Sequence, residues 1–372
     1  MKKQRIGIVG IGKISWIYLK NLTGMFGNRV TVSAVTDLIH ERAAKAHEDY
    51  HIKHIEKTDD LINSPDVDII LNLTQPQNHH HVALSAVKAG KHVYNEKPVC
   101  VTREEAQEVL KAAAANKVRV GGAPDTFLGP GLQTCRKIID DGWIGKPVAA
   151  TAFMMCHGHE HWHPEPEFYY KTGGGPMFDM GPYYLTALVH LLGPVERISG
   201  SAKMGQKQRL ITSEPLKGTI VDVEVPTHIV GVLDFASGAV GNIITSFDVW
   251  SHSMPFIEIY GTEGTLQVPD PNYFRGEIRL RRFYEENWSI MPLVLETADN
   301  PKDPDDDWHK TNNLRGIGIT DMAESISAGK PHRASEELIY HVLDVMHGIH
   351  DASASGKYYE VKSSCNRPEP LR

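Results

Sequence analysis

With 372 residues the chain is longer than one hydrophobic core usually serves, so two domains of ordinary size are the expectation. An apolar content of 41% and a formal charge of −7 exclude a disordered or fibrous chain and leave no attraction for nucleic acid or anionic membrane, which points to a small-molecule partner. The basic start is followed by an apolar stretch too short and glycine-broken for a signal peptide or a membrane span, so a cytoplasmic protein is expected. Cys100, Cys135, Cys156 and Cys365 lie far apart and form no CxxC pair, as in a reduced cytosolic enzyme rather than a disulfide frame or zinc site.

Along the chain, Arg5 to Val9 is a β-rich apolar run, followed by glycines and then by helical spacing at Ile14, Ile17, Tyr18 and Leu22. A second strand over Val30 to Val35 ends at Asp37, and Glu41 to Tyr50 predicts a helix. Val67 to Leu73 is a continuous apolar run of the kind buried on both faces of a parallel sheet, with His81 to Ala89 as its crossover helix, stopped by Gly90. His92 to Tyr94 and Arg119 to Gly121 predict further strands around a helix over Arg103 to Ala115, capped by Thr102. This alternation predicts a doubly wound α/β domain.

Beyond Phe127 the rhythm changes. After a helix around Leu132 to Asp140, strand-like runs dominate: Val148 to Met155, Val195 to Ser199, His228 to Phe235, Ala239 to Phe247, Phe256 to Gly261 and Ile278 to Phe283. Hairpin signals at Ala236-Ser237-Gly238 and Thr262-Glu263-Gly264 predict an α+β domain with a large, mostly antiparallel open sheet. Asp299 to Asp307 is an acidic, proline-rich loop, and the helical stretches Ile319 to Ala328 and Ala334 to Ala354 close the chain. The expected domains are 1–126 and 127–372, with the C-terminal helix free to pack back on the first.

Gly10-Ile11-Gly12-Lys13-Ile14-Ser15 follows a predicted strand and opens a helix, with Ser15 at the place of the third glycine of GxGxxG. The first glycine permits a tight turn, the second lets the backbone approach a pyrophosphate, and the helix N-terminus supplies N–H donors. Asp37, at the end of the second strand, stands where a carboxylate hydrogen-bonds the adenosine ribose and repels a 2′-phosphate, which favours NAD over NADP.

Thr74-Gln75-Pro76-Gln77-Asn78-His79 and Gly90-Lys91-His92-Val93-Tyr94-Asn95-Glu96-Lys97-Pro98 closely resemble motifs of the glucose–fructose oxidoreductase and inositol dehydrogenase (Gfo/Idh/MocA) family. The resemblance extends over almost the whole chain. It implies a Rossmann domain carrying NAD(P), with Gly10, Gly12, Lys13, Ile14, Asp37, Thr74, Gln75, Asn78, His79, Glu96 and Lys97 at the cofactor. It also implies a C-terminal domain whose open sheet mediates assembly as a dimer or tetramer, and substrates that are sugars, inositols or their glycosides.

The family's EKP lysine lies beside the nicotinamide and the substrate hydroxyl, and here it is Lys97. Hydride leaves a secondary carbinol only as its hydroxyl proton is lost, so a cation or base within hydrogen-bond reach is needed there. The family's second landmark is a glycine run followed by DxGxH, matched by Gly173 to Tyr183: Asp179 is the aspartate, and Tyr183 replaces the histidine. Tyr183 relays the proton, orients the hydroxyl, or is a core aromatic; as a phenol it is a weaker base than an imidazole.

Between these landmarks the stretch from His157 to Lys171 carries His157, His159, His161 and His163 together with Trp162 and Tyr170. Trp162 or Tyr170 is suited to stacking on a pyranose face while His157 and its neighbours bind hydroxyls. A metal site from this cluster is the competing reading, disfavoured because adjacent loop residues rarely converge and hydride transfer needs no metal. Asp125 and Phe127 fall at the family's junction of cofactor and substrate.

The leading expectation is NAD-dependent oxidation of a ring secondary hydroxyl, such as a glucoside 3-position, to a ketone. Two alternatives are transient oxidation with retained cofactor, in a glycosidase or epimerase, and a non-catalytic NAD-binding regulator.

Overall fold

The computed structural model describes residues 3–294 and 313–371; the acidic loop expected at Asp299 to Asp307 lies outside them. The described residues divide into two compact units, one within Met1–Leu128 and Asn300–Leu343 and the other within Gly129–Asp299 and Asp344–Arg372.

In the first unit six strands form one parallel sheet among the described residues: β1 Gln4–Val9, β2 Val30–Thr36, β3 Lys53–His54, β4 Ile69–Asn72, β5 His92–Asn95 and β6 Val120–Gly122, in the order β3-β2-β1-β4-β5-β6. The intervening helices are α1 Ser15–Thr23, α2 His40–Tyr50, α3 Thr58–Ile62, α4 Pro76–Lys88 and α5 Arg103–Asn116. Ile69, Ile70 and Leu71 are fully buried, as a central strand covered on both faces requires. Helix α5 begins where expected because Thr102 accepts from the Glu105 N–H while the Glu105 side chain returns to the Thr102 N–H, a complete capping box. Helix α4 begins five residues earlier than its apolar spacing suggests, since Pro76 fits the first turn, where its missing N–H costs nothing.

The first unit also takes in residues that the domain expectation of 127–372 assigns to the second. The reason lies at Asp125, which is fully buried and accepts hydrogen bonds from the Gly316 N–H at 2.9 Å and the Gly318 N–H at 3.1 Å. These are donors at the start of a helix over Ile317–Ser327, α8 below. Arg29 pairs with Glu324 at 2.5 Å, and Asn21 donates to the carbonyls of Asn313 and Arg315, so α8 is tied to the Rossmann sheet at several points.

The second unit contains α6 Pro130–Asp140 and α7 Gly175–Leu192 with a sheet of nine strands among the described residues. The strands are β7 Pro147–Met155, β8 Val195–Lys203, β11 His228–Phe235, β12 Val240–Ser246, β13 Ile257–Gly261, β14 Gly264–Val268, β15 Arg279–Arg282, β16 Ser289–Ile290 and β17 Tyr359–Glu360, in the order β16-β15-β14-β13-β7-β12-β11-β8-β17. Every pair is antiparallel except β7 with β12. A separate hairpin pairs β9 Gln208–Leu210 with β10 Ile220–Asp222. The last helix, α9 Glu336–Ser355, is divided between the units after Leu343; in the second, Ile349 closes over Gly200 and Gly231, where any Cβ would collide with it.

Helix α7 is absent from the chain-order reading. Its Gly175, Pro176, Gly181 and Pro182 are poor helix formers, and burial of nearly the whole element against the sheet overrides that propensity.

Asp125 yields a stability prediction. Burial holds its carboxyl above the usual carboxylate range, so its stabilising contribution is complete below the unfolded-state value and is lost as pH rises through the folded one. Asp125→Asn keeps an acceptor for both N–H groups and should therefore gain on the wild type in urea melts as pH rises from 4 towards 8. Asp125→Ala strands the two donors and should cost about 1–3 kcal/mol for each one left unsatisfied; a loss confined to a few tenths would show that the capping role is misassigned.

Candidate active site

In the first unit the glycine turn after β1 has the shape a dinucleotide needs. Gly10 has φ 96°, and a Cβ there would lie 2.9 Å from the backbone of Leu73 and Thr74, so only glycine fits. Around Gly12, by contrast, a Cβ would meet nothing within 4 Å, which leaves open space for close approach of a phosphate to the main chain. Ser15 is buried, and its hydroxyl donates to the Gly12 carbonyl at 2.8 Å, so serine replaces the third glycine by bracing the turn from inside. Helix α1 carries no side-chain cap, which suits an N-terminus that meets an anion. The Asp37 carboxylate accepts from the N–H groups of Ile11 at 2.6 Å and Ile39 at 2.7 Å and thus sits directly against the turn. Lys13 is exposed and Ile14 half-buried beside it. These residues fit an NAD molecule.

The two landmarks of this unit are braced from beneath. Asn72 accepts from the Thr74 hydroxyl at 2.7 Å and donates to Asn95 at 3.0 Å and to the His79 carbonyl at 3.2 Å. His79 is fully buried between the carbonyls of Pro98 at 2.6 Å and Thr74 at 3.0 Å, and burial lowers its pKa. It fastens together the two loops that carry Thr74 and Pro98. Gln75 and Asn78 are exposed on the first turn of α4. Glu96 is buried, its oxygens accepting from the Tyr18 hydroxyl at 2.8 Å and the Lys97 N–H at 2.9 Å, which orients the half-buried Lys97.

In the second unit Asp179 lies in the second turn of α7 and Tyr183 one turn later on the same side, the latter only 5% exposed. Facing Asp179 is His159, whose Nε2 is 3.3 Å from Oδ2. The imidazole is packed by Tyr169 at 4.1 Å, Phe247 at 4.7 Å and Trp162 at 5.3 Å between ring centroids. Below it, Tyr170 is wholly buried and donates to Glu160; burial first, and then the Glu160 carboxylate, drive its pKa far up. Glu160 is bound by the Arg209 guanidinium at 3.0 Å, and the same guanidinium holds Asp248 and the Phe247 carbonyl. His157 stacks on the exposed Trp250 with centroids 3.3 Å apart, and Trp162 is half exposed.

Three expected substrate contacts therefore change role. Asp125 and Phe127 are buried within the first unit and Tyr170 within the second, all at 1% exposure or less, so none presents a surface to a sugar. Conversely, Arg209, Asp248 and Trp250 enter the site region from strands and turns that carry no local motif. His159 is visible in the sequence only as one histidine of a cluster; its pairing with Asp179 spans 20 residues. Among the described residues no group of three or more His, Cys, Asp or Glu side chains converges as metal ligands.

Residues 4–122 match the profile of an oxidoreductase family with an NAD-binding Rossmann fold, and residues 132–267 match that of the GFO/IDH/MocA C-terminal domain; together they span more than half of the chain. The chain belongs to the GFO/IDH/MocA family. Members are NAD-dependent oxidoreductases of the sugar and inositol dehydrogenase type, and NAD is the cofactor of this one. The chain is similar to 1,5-anhydro-D-fructose reductase of Ensifer adhaerens, 29% identical over 70% of this chain and 74% of that enzyme. It is also similar to inositol 2-dehydrogenase of Salmonella typhimurium, 34% identical over 45% of this chain and 48%, about half, of the relative. Its fold matches a solved NAD binding oxidoreductase from Klebsiella pneumoniae with a TM-score of 0.82 at 23% identity, covering 97% of this chain and 100% of the other. No helix among the described residues is long and apolar enough to cross a membrane.

Three variants test these placements. Arg209→Met leaves Glu160 and Asp248 as uncompensated carboxylates, the first buried, and should cost about 3–5 kcal/mol in chemical denaturation, with Arg209→Lys losing less. Asp37→Ala should relax discrimination against NADP in cofactor titrations; an unchanged preference would place the selectivity elsewhere.

Proposed function

We propose that this GFO/IDH/MocA enzyme oxidises a ring secondary hydroxyl of a sugar, glycoside or inositol to a ketone, reversibly, with a glucoside 3-hydroxyl as one candidate position. The observation that carries this reading is the second unit's cluster: a half-buried carboxylate, Asp179, held by an imidazole among aromatic rings, with Trp162 half exposed beside it. Aromatic faces bind the C–H side of a pyranose or cyclitol, while carboxylate and imidazole bind its hydroxyls. The names of the relatives, a reductase of an anhydro-sugar and a dehydrogenase of inositol, agree with such a substrate.

When bound, NAD supplies the hydride acceptor. The chain itself must bind the hydroxyl, stabilise the negative charge that grows on its oxygen, and remove its proton. Lys97, oriented through its own N–H by Glu96, is the cation assigned to the developing alkoxide. Asp179 orients the imidazole that meets the reacting hydroxyl, and Tyr183, nearly buried one turn further along α7, supports it from behind. For assembly, the outward face of the second unit's sheet, where Val232 and Val240 are exposed, is the surface assigned to self-association.

Purified protein with NAD should generate NADH absorbance with at least one member of a panel of sugars, glycosides and inositols. Lys97→Met should lower kcat by about 100- to 10,000-fold while NADH still binds, as read by nucleotide fluorescence. Undiminished turnover in that variant removes Lys97 from the chemistry.

A further inference from the structure

Resting on the dehydrogenase reading above, we propose that His159, oriented by Asp179, is the group that takes the proton from the substrate hydroxyl. Among the side chains near Asp179 with exchangeable protons are two phenols, Tyr183 and Tyr170, the imidazole of His159, and the Cys156 thiol, which burial pushes up to about 11 and out of reach of neutral pH. Tyr170 is committed to Glu160 and wholly buried, and Tyr183 is 5% exposed. A phenol also ionises near ~10, far above neutral pH, whereas an imidazole changes charge near ~6.5. His159 is half-buried where both phenols are buried, and it is in direct contact with the Asp179 carboxylate.

The geometry defines which nitrogen acts. Nε2 faces Asp179 Oδ2 at 3.3 Å, a span at the long end for an N–H···O bond and of the kind that tightens when a ligand arrives. With the N–H on Nε2 donated to the carboxylate, the lone pair falls on Nδ1, and the carboxylate stabilises the imidazolium that forms when Nδ1 accepts a proton. The balance closes without a further reagent. As the carbinol C–H pair leaves as hydride to the cofactor assigned above, the hydroxyl O–H bond breaks, its electrons become the second C–O bond, and its proton goes to Nδ1 and then to water.

The mounting of His159 fits a reacting group. Its ring is fixed by Tyr169, Trp162 and Phe247, and its N–H lies 3.4 Å from the Tyr170 hydroxyl, so the backbone rests on the network that Glu160, Arg209 and Asp248 build. The titratable groups of its surroundings are Asp179 from α7 and His163 of its own loop, which shares the Trp162 and Tyr169 rings, with Glu160, Arg209 from β9 and Asp248 after β12 behind them. Asp179 is the one of these in direct contact with the imidazole.

The test uses the full-length wild type, His159→Asn, His159→Gln, Tyr183→Phe and Asp179→Asn, with NAD and the best substrate of the panel. Both His159 variants should lose about 100-fold or more in kcat with KM changed only a few-fold, and should lose the acidic limb of the kcat/KM profile; Tyr183→Phe should keep that limb. The second variant guards against a folding defect peculiar to the first. Asp179→Asn, which removes the anionic partner of Nε2, should also lose about 100-fold in kcat with KM changed only a few-fold. Wild-type kcat and an intact acidic limb in either His159 variant, or wild-type kcat in Asp179→Asn, would overturn the proposal and leave the dehydrogenase reading standing. A wild type inert towards the whole panel would overturn that reading and this proposal with it.

Discussion

The second unit depends on one buried guanidinium. Arg209, with its side chain 2% exposed, binds Glu160 on one side and Asp248 on the other, and it comes from a hairpin that belongs to neither the main sheet nor α7. Removing three charges from water is costly, and apolar residues of similar size would fill the same space more cheaply. What the apolar choice lacks is direction. A guanidinium fork donates to carboxylates only at particular angles, so the stretch that follows β7 is fixed in one path, with Glu160 turned in and His159 turned towards α7.

Beneath the Rossmann landmarks a neutral network has the same office. Asn72 at the end of β4 and Asn95 at the end of β5 bond to each other across adjacent strands, and each also bonds to a loop: Asn72 to Thr74 and the His79 carbonyl, Asn95 to the Val99 carbonyl. His79 then joins the carbonyls of Thr74 and Pro98. The loops that leave the carboxyl ends of two parallel strands are therefore positioned by side chains of those strands. Amides suit this better than charges, since one side chain donates and accepts at once without desolvating an ion.

How much of this was readable before any coordinates follows from the range of each signal. The strand and helix alternation of the first 126 residues is a local pattern, and so are the capping box at Thr102 and the glycine turn at Gly10; these are found near where the residues placed them, while β3 and α3 are too short to stand out and α4 starts five residues early. The mostly antiparallel second sheet is likewise written in short alternating runs, though β14, β16 and β17 are too short or too polar to stand out. Helix α7 reads as a loop because its glycines and prolines are local and its burial is not. The roles of Asp125 and His159 depend on partners 191 and 20 residues away, a separation at which sequence alone offers residue types without pairing.

The start of α7 shows why those breakers are where they are. A Cβ on Gly174 would lie 2.5 Å from the Phe168 carbonyl and 2.8 Å from that of Tyr169, and Gly175 adopts φ 83°, a conformation that favours glycine. The chain therefore enters α7 in contact with the turn that carries Tyr169 and Tyr170, and a side chain there would push the two apart. Tyr169 packs on His159 from that turn, and Asp179 reaches His159 from the helix, so the same glycines that weaken the helix as a sequence signal bring its carboxylate to the imidazole. Loss of intrinsic helix propensity amounts to about 1 kcal/mol for each glycine in the interior, an amount that the burial of Met177, Tyr184, Leu185 and Leu188 readily exceeds. The local weakness and the site geometry are consequences of one requirement, close approach of two backbones.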